Sequence, residues 1–307
     1  MSKVWKTLAH HSVRPGHAGE KTVVGPDRPQ RCRVCGKDSQ CGATFNDEAH
    51  IIPAALGNRT LFCTDECDKC NHQCGESLDN ALVDYLSPFR AIARLPGRRG
   101  FPKHRITPDK SFIHRLSGTE TLYVREDPDS STLEWIEHGN NTATLRVRQQ
   151  KHRLVTVVKN LARLVLLSAK EPGPEFDNVR EWVLNRRDYF GMRICTFRET
   201  ENRDTIQFIA EQCTLANHTN SIRCRLIYPY VTVLLSFSLK TLSHSGMSDN
   251  DLFDGLMSIS LLQNHDYRVV TDNSVTKAGW VDFGMSYGSR GEPIPEDQWN
   301  GNLPTKP

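Results

Sequence analysis

Two Cys-x-x-Cys pairs, Cys32-Arg-Val-Cys35 and Cys67-Asp-Lys-Cys70, stand 31 residues apart and constrain this chain more than any other feature. Each pair lets two thiolates approach one ion from a tight turn, and two pairs make a closed tetrahedral Zn²⁺ site. They belong to a larger cluster: seven of the ten cysteines (Cys32, Cys35, Cys41, Cys63, Cys67, Cys70 and Cys74) fall within 43 residues. In a reducing compartment, thiols this dense read as structural zinc ligands rather than disulfides. The opening Met1-Ser2-Lys3-Val4-Trp5-Lys6 leads into polar residues with no apolar core of secretory length, which points to the cytoplasm. Cys41, Cys63, Cys74 and His72 are available as substitute ligands, and Cys63, Cys67, Cys70 and Cys74 also recur at one-face helical spacing.

The 307 residues, 37% hydrophobic and 24% charged, suit a globular chain of about two domains and exclude collagen-like or wholly disordered readings. The most apolar stretch, Leu161 to Leu167, is interrupted by Arg163 and is far shorter than the roughly 18 residues of a membrane span. Net charge is only +3, so any polyanion partner must be argued from local charge. Residues 1–30 read as a basic, extended arm, 31–86 as the cysteine module, and 87–117 as a basic connector. Helical periodicity over Lys151–Ala169 and Phe176–Leu184 is followed by β-branched runs at Met192–Phe197, Thr205–Ala210, Cys224–Pro229 and Tyr230–Leu239. The expectation is an α+β fold: the module, then a separate α+β domain over 118–282 of unassigned role, then a tail over 283–307.

Between the knuckles runs Asn46-Asp-Glu48-Ala-His50-Ile-Ile-Pro53, followed by Leu56-Gly57-Asn58. In an extended strand Glu48 and His50 share a face, which sets a carboxylate beside an imidazole. After the second knuckle, Cys74, Leu78, Ala81, Leu82 and Tyr85 mark the buried face of a helix, with Asn71 at its start. Strand, loop and helix can then enclose a hard-cation site distinct from the zinc.

These motifs (Cys32-x-x-Cys35, Glu48-Ala-His50-Ile-Ile-Pro53 with Leu56-Gly57-Asn58, and Glu66-Cys67-Asp-Lys-Cys70-Asn71 with Gly75) resemble the HNH endonuclease family, in its branch with CxxC zinc knuckles. The resemblance covers residues 31 to about 86 and implies the ββα-metal fold with metal-dependent DNA endonuclease activity, plausibly prokaryotic and in defence against foreign DNA. It implies His50 as general base, Asn71 as a helix-borne ligand of a catalytic Mg²⁺ or Mn²⁺, Asn58 as the brace of the hairpin loop, and Cys32, Cys35, Cys67 and Cys70 as the zinc ligands. Many members carry a metal-binding Asp, Glu or His immediately before the base, where this chain has Ala49. Glu48 is favoured as the carboxylate because of its face, with Asp79 a weaker candidate. The competing reading is a non-catalytic zinc-knuckle module that binds nucleic acid or protein.

Arg90, Arg94, Arg98, Arg99, Lys103 and Arg105 follow the module and are expected to contact DNA phosphates, which give affinity but little sequence information. Arg146, Arg148, Lys151 and Arg153 form a second basic stretch for which plain solvated surface is the slightly favoured reading over phosphate contact. Val231, Val233, Leu235 and Phe237 share one strand face and read as core rather than a base-stacking platform. The later region is the place for an activating ligand or protein partner, and a homodimer would set two sites on opposite strands.

Overall fold

The computed structural model describes residues 4–27, 31–93, 95, 103–105, 111–115, 122–127, 129, 131–186, 192–198, 203–214, 220–239, 265–270 and 279–286. It is an α+β structure. In chain order, β1 (Val4–Val13), β2 (Thr22–Val24), β3 (Ala49–His50) and β4 (Leu61–Cys63) precede α1 (Asp68–Cys74), which passes through a π turn at Gly75–Asp79 directly into α2 (Asn80–Ile92). Then come β5 (Lys103–Arg105), β6 (Phe112–Arg115), β7 (Leu122–Arg125), β8 (Leu133–Gly139) and β9 (Thr142–Arg148). Helices α3 (Leu154–Ser168) and α4 (Asp177–Val183) lead to β10 (Met192–Arg198), β11 (Ile206–Thr214), β12 (Asn220–Tyr228), β13 (Val231–Ser238), β14 (His265–Val270) and β15 (Trp280–Ser286).

The strands form a six-stranded sheet in the order β1-β11-β12-β13-β10-β14 and three small sheets, β15-β9-β8, β2-β4-β3 and β5-β6-β7. Residues 4–13, expected as an arm, are thus the edge strand β1, antiparallel to β11 from Val4↔Thr214 to Val13↔Ile206 with a bulge between Thr7 and Ala9. The connector region likewise holds β5 and β6, and β15 carries paired structure to Ser286, beyond the expected tail boundary. Residues 287–307 of that tail lie outside the described residues.

Helix α3 packs between the two expected regions. Every residue from Val157 to Ser168 is buried, as for a helix with neighbours on all sides. It packs on α2 and the π turn of the cysteine module, and on α4, β1 and β12. One continuous cluster of buried side chains runs from Cys32 and Leu56 through Leu82 and Leu161 to Leu226 and Phe237. Val231, Val233, Leu235 and Phe237 are all core, as their period-2 spacing indicates. Among the described residues no helix is long and apolar enough to cross a membrane.

A buried histidine ties the small sheets to α2. His104 on β5 sits with Nδ1 3.0 Å from Ser87 Oγ, while Nε2–H donates to the Arg148 carbonyl at 3.1 Å. Burial pushes this imidazole down to about 4, against the opposing pull of the Arg148 carbonyl. The unfolded chain therefore takes up a proton near pH 6.5 while the folded chain resists until about 4. The stability contributed by neutral His104 is complete above the unfolded value and is lost as pH falls through this window, by about 3 kcal/mol in all. Thermal unfolding from pH 7 to 4 should fall less steeply for His104→Gln than for the wild type; equal slopes would contradict the assignment.

Candidate metal centre and hairpin site

The two knuckles meet. The Sγ atoms of Cys32, Cys35, Cys67 and Cys70 all lie within 4.8 Å of one another, and this is the one such group of Cys, His, Asp or Glu among the described residues. Cys35 and Cys67 Sγ are 3.8 Å apart. A ZnS₄ tetrahedron with bonds of about 2.3 Å has edges of about 3.8 Å, so the donor set fits a structural zinc. The backbone N–H groups of Cys35 and Cys67 both donate to Cys32 Sγ at 3.4 Å, stabilising thiolate charge. Cys67 and Cys70 stand at the N-terminal end of α1, where the helix dipole favours negative charge.

The substitute ligands stand outside this group. Cys63 and Cys74 are buried in the hydrophobic core, where burial pushes their thiols up to about 12. Cys41 is exposed, and His72 is exposed with its Nε2 3.3 Å from Glu76.

Each knuckle is bolted to α3 by the residue beside a cysteine. Arg33, next to Cys32, donates through Nε to Asp65 at 3.0 Å and through its terminal nitrogens to the carbonyls of Leu167, Ala169 and Lys170, capping the C-terminal end of α3. Glu66, next to Cys67, receives a two-pronged grip from Arg163 of α3, at 2.8 and 2.5 Å, and both side chains are completely buried. Arg163 also donates to Asp79 at 2.8 Å, and Asn160 donates to the same oxygen at 2.9 Å. Asp79 Oδ1 is thus held by α3 from two sides.

The hairpin of β3 and β4 pairs Ala49 with Cys63 and His50 with Phe62. Ala49 is fully buried, Glu48 exposed and His50 half-buried, so Glu48 and His50 share the outer face. This burial is a physical reason for alanine at 49: a carboxylate there would point into the core. Asn58 is fully buried and closes the hairpin loop, donating through Nδ2 to the carbonyls of Ile52 and Leu61 at 2.8 and 2.7 Å. Its Oδ1 accepts from the N–H groups of Thr60 and Leu61 at 3.1 and 2.9 Å. Gly57 turns the loop at φ +107, and a Cβ there would lie 2.8 Å from Pro15 Cβ.

Two residues that the sequence reading did not single out shape this face. Asp68, the first residue of α1, accepts from the N–H groups of Asn46 and Asp47 at 2.9 Å and from the Thr44 hydroxyl, fixing the segment that enters β3. Burial works against its charge, but these bonds outweigh it and hold the carboxyl below its usual range. An acid at the first position of a helix was the available signal. Lys21, just before β2, forms a 2.6 Å ion pair with Glu48 and lies 5.1 Å from the Phe62 ring. The other neighbour of that ring is His50, at 4.6 Å between centroids. Lys21 lies in a segment that sequence reading assigned to the arm, so nothing local marked it. Asn71 is half-buried on α1, and its side chain makes no hydrogen bond among the described residues.

Of the expected phosphate contacts, Arg90 is half-buried on α2 and Arg105 is exposed on β5. The backbone of Lys103 lies in β5, and Arg94, Arg98 and Arg99 lie outside the described residues. In the second basic stretch, Arg146 is engaged by Glu134 and Asp282.

Residues 32–87 match the sequence model of the HNH endonuclease family. No curated protein and no solved structure gives a significant match to the chain.

Proposed function

We propose that the protein is a metal-dependent endonuclease that hydrolyses DNA phosphodiester bonds, with its chemistry in residues 32–87. The observation that carries this reading is the placement of His50 and Glu48 on the open face of a hairpin whose loop is stitched by Asn58 and whose base rests on a four-cysteine site. The match to HNH endonucleases supports the same class.

In this mechanism the His50 imidazole accepts the proton of the attacking water, a task imidazole side chains commonly perform. The Phe62 ring, packed against one side of His50, limits its rotation. Glu48 and Asn71 would hold the divalent cation, with oxygen donors that suit Mg²⁺ or Mn²⁺. When bound, such an ion supplies charge neutralisation at the phosphate and at the leaving 3′ oxygen. Lys21, paired with Glu48 at 2.6 Å, would add a positive charge beside the bound phosphate. Cleavage then leaves 5′-phosphate and 3′-hydroxyl ends.

Cleavage of supercoiled plasmid in Mg²⁺, Mn²⁺ or EDTA tests this. General-base assistance is worth ~10² to 10⁴ in rate, so His50→Ala should lose that much cleavage and keep its DNA affinity. A His50→Ala protein that nicks at the wild-type rate overturns the role of His50. Failure of zinc-loaded wild type to cut in either metal, with DNA still bound, favours the binding-module reading.

A further inference from the structure

Arg90 in the last turn of α2 has its Nε enclosed in the protein with no hydrogen-bond acceptor. The neighbouring cation is Arg59, on the hairpin loop one residue after the buried Asn58, and the other neighbour is the buried Tyr228, whose hydroxyl donates to the Leu56 carbonyl at 3.5 Å. Neither guanidinium makes a hydrogen bond or ion pair among the described residues. Burial lowers the affinity of Arg90 for its proton, Tyr228 raises it, and the charge of Arg59 lowers it again; no carboxylate acts on it.

This arrangement is costly for a protein with nothing bound. A cation at a helix C-terminus is favourable to the dipole, which accounts for the sign of the charge. An exposed lysine would serve that purpose without enclosing a donor that has no acceptor. Two like charges brought together while both lack counter-ions are best explained by a ligand that supplies both charge and acceptors. A phosphate does so: its oxygens match the forked guanidinium geometry, and paired arginines recognise it in preference to a point cation.

We propose that Arg59 and Arg90 form a phosphate-binding site on the flank of the hairpin loop, separate from the His50 face. Its phosphate is either a nucleic-acid backbone group, which rests on the nuclease reading above, or free inorganic phosphate. In the first case the site grips the strand away from the scissile bond and sets its register.

The test uses the full-length, zinc-loaded chain as wild type, Arg90→Met, Arg59→Met and His50→Ala. Thermal unfolding is compared in inorganic phosphate and in chloride at equal ionic strength, and binding of a short duplex is measured without added Mg²⁺ or Mn²⁺ across a salt series. In chloride, Arg90→Met should melt higher than wild type by roughly 2–4 °C, because it removes a half-buried cation whose enclosed Nε has no acceptor. Phosphate should raise the midpoints of wild type and His50→Ala but of neither arginine variant. Each arginine variant should also flatten the dependence of log affinity on log salt by about one. A phosphate response lost in both variants with an unchanged salt slope keeps the site and assigns it to free phosphate. An equal phosphate response in all four proteins, or an Arg90→Met that is destabilised while Arg59→Met responds like wild type, overturns the proposal. Because binding is read without cleavage, an inactive wild type would refute the nuclease reading and leave this result intact.

Discussion

Replacing Cys70 with serine should empty the zinc site and unfold the knuckles and hairpin while the six-stranded sheet stays folded. Structural zinc in small domains contributes an apparent 10–16 kcal/mol, comparable with the whole stability of a typical domain. The module has little to replace it: β3 is two residues long and β2 and β4 are three each. The six-stranded sheet has its own apolar face in Phe208, Leu226, Val233 and Phe237, all buried. Wild type should hold one zinc per chain, and Cys70→Ser less than a tenth of that. Hydrogen exchange should then rise at Ile51, Ile52 and Leu61 and change little across β11 to β13. A metal-free variant with unaltered exchange at the hairpin would show that the cysteines are not its structural support.

The second large effect is expected at Arg163. Removing one partner of a buried ion pair costs about 3–5 kcal/mol, because the other charge stays behind without water or counter-charge. Arg163→Met leaves Glu66 completely buried, and Asp79 keeps only Asn160. Glu66 can relieve the cost by binding a proton, so its carboxyl in the variant is raised above its unfolded value. The folded variant then binds more protons than the unfolded chain at mildly acidic pH, and its stability falls as pH rises through that range. Chemical denaturation should thus show a larger deficit at pH 8 than at pH 5. The pair of substitutions Arg163→Met with Glu66→Leu should recover much of the loss, since apolar residues of similar volume can replace a buried pair. A deficit that is the same at both pH values would argue against an exposed-to-titration Glu66.

What could be read in the sequence was local. The zinc quartet follows from two four-residue motifs, and the turn around Asn58 from a short signature whose bonds span only residues 52 to 61. Helix α3 and strands β10 to β13 emerged within a few residues of their observed ends because their periodicity is unbroken. Strand β1 did not, since its alternation is interrupted by the bulge at Thr7 and Ala9 and its partner lies some 200 residues away. Lys21 was hidden for the same reason: the parallel pairing of β2 with β4, Thr22 opposite Leu61, is what delivers it to Glu48. The division into two domains was drawn at a composition change, and it gave no sign of the contacts that cross it, the ion pair of Glu66 with Arg163 and the capping of α3 by Arg33.

Those two contacts bear on portability. A cassette that moves between proteins should close its own surface, and the cysteine module does not: residues 31–93 end their core on a helix that belongs to the remainder of the chain. Cut free, the fragment would present an apolar scar along α2, an Arg33 stripped of its α3 carbonyls and left with Asp65 alone, and a lone carboxylate at Glu66 beside the four-cysteine site. Grafting the module into a new scaffold therefore means carrying α3 with it, and the chain has a natural seam after Lys170 rather than after residue 86.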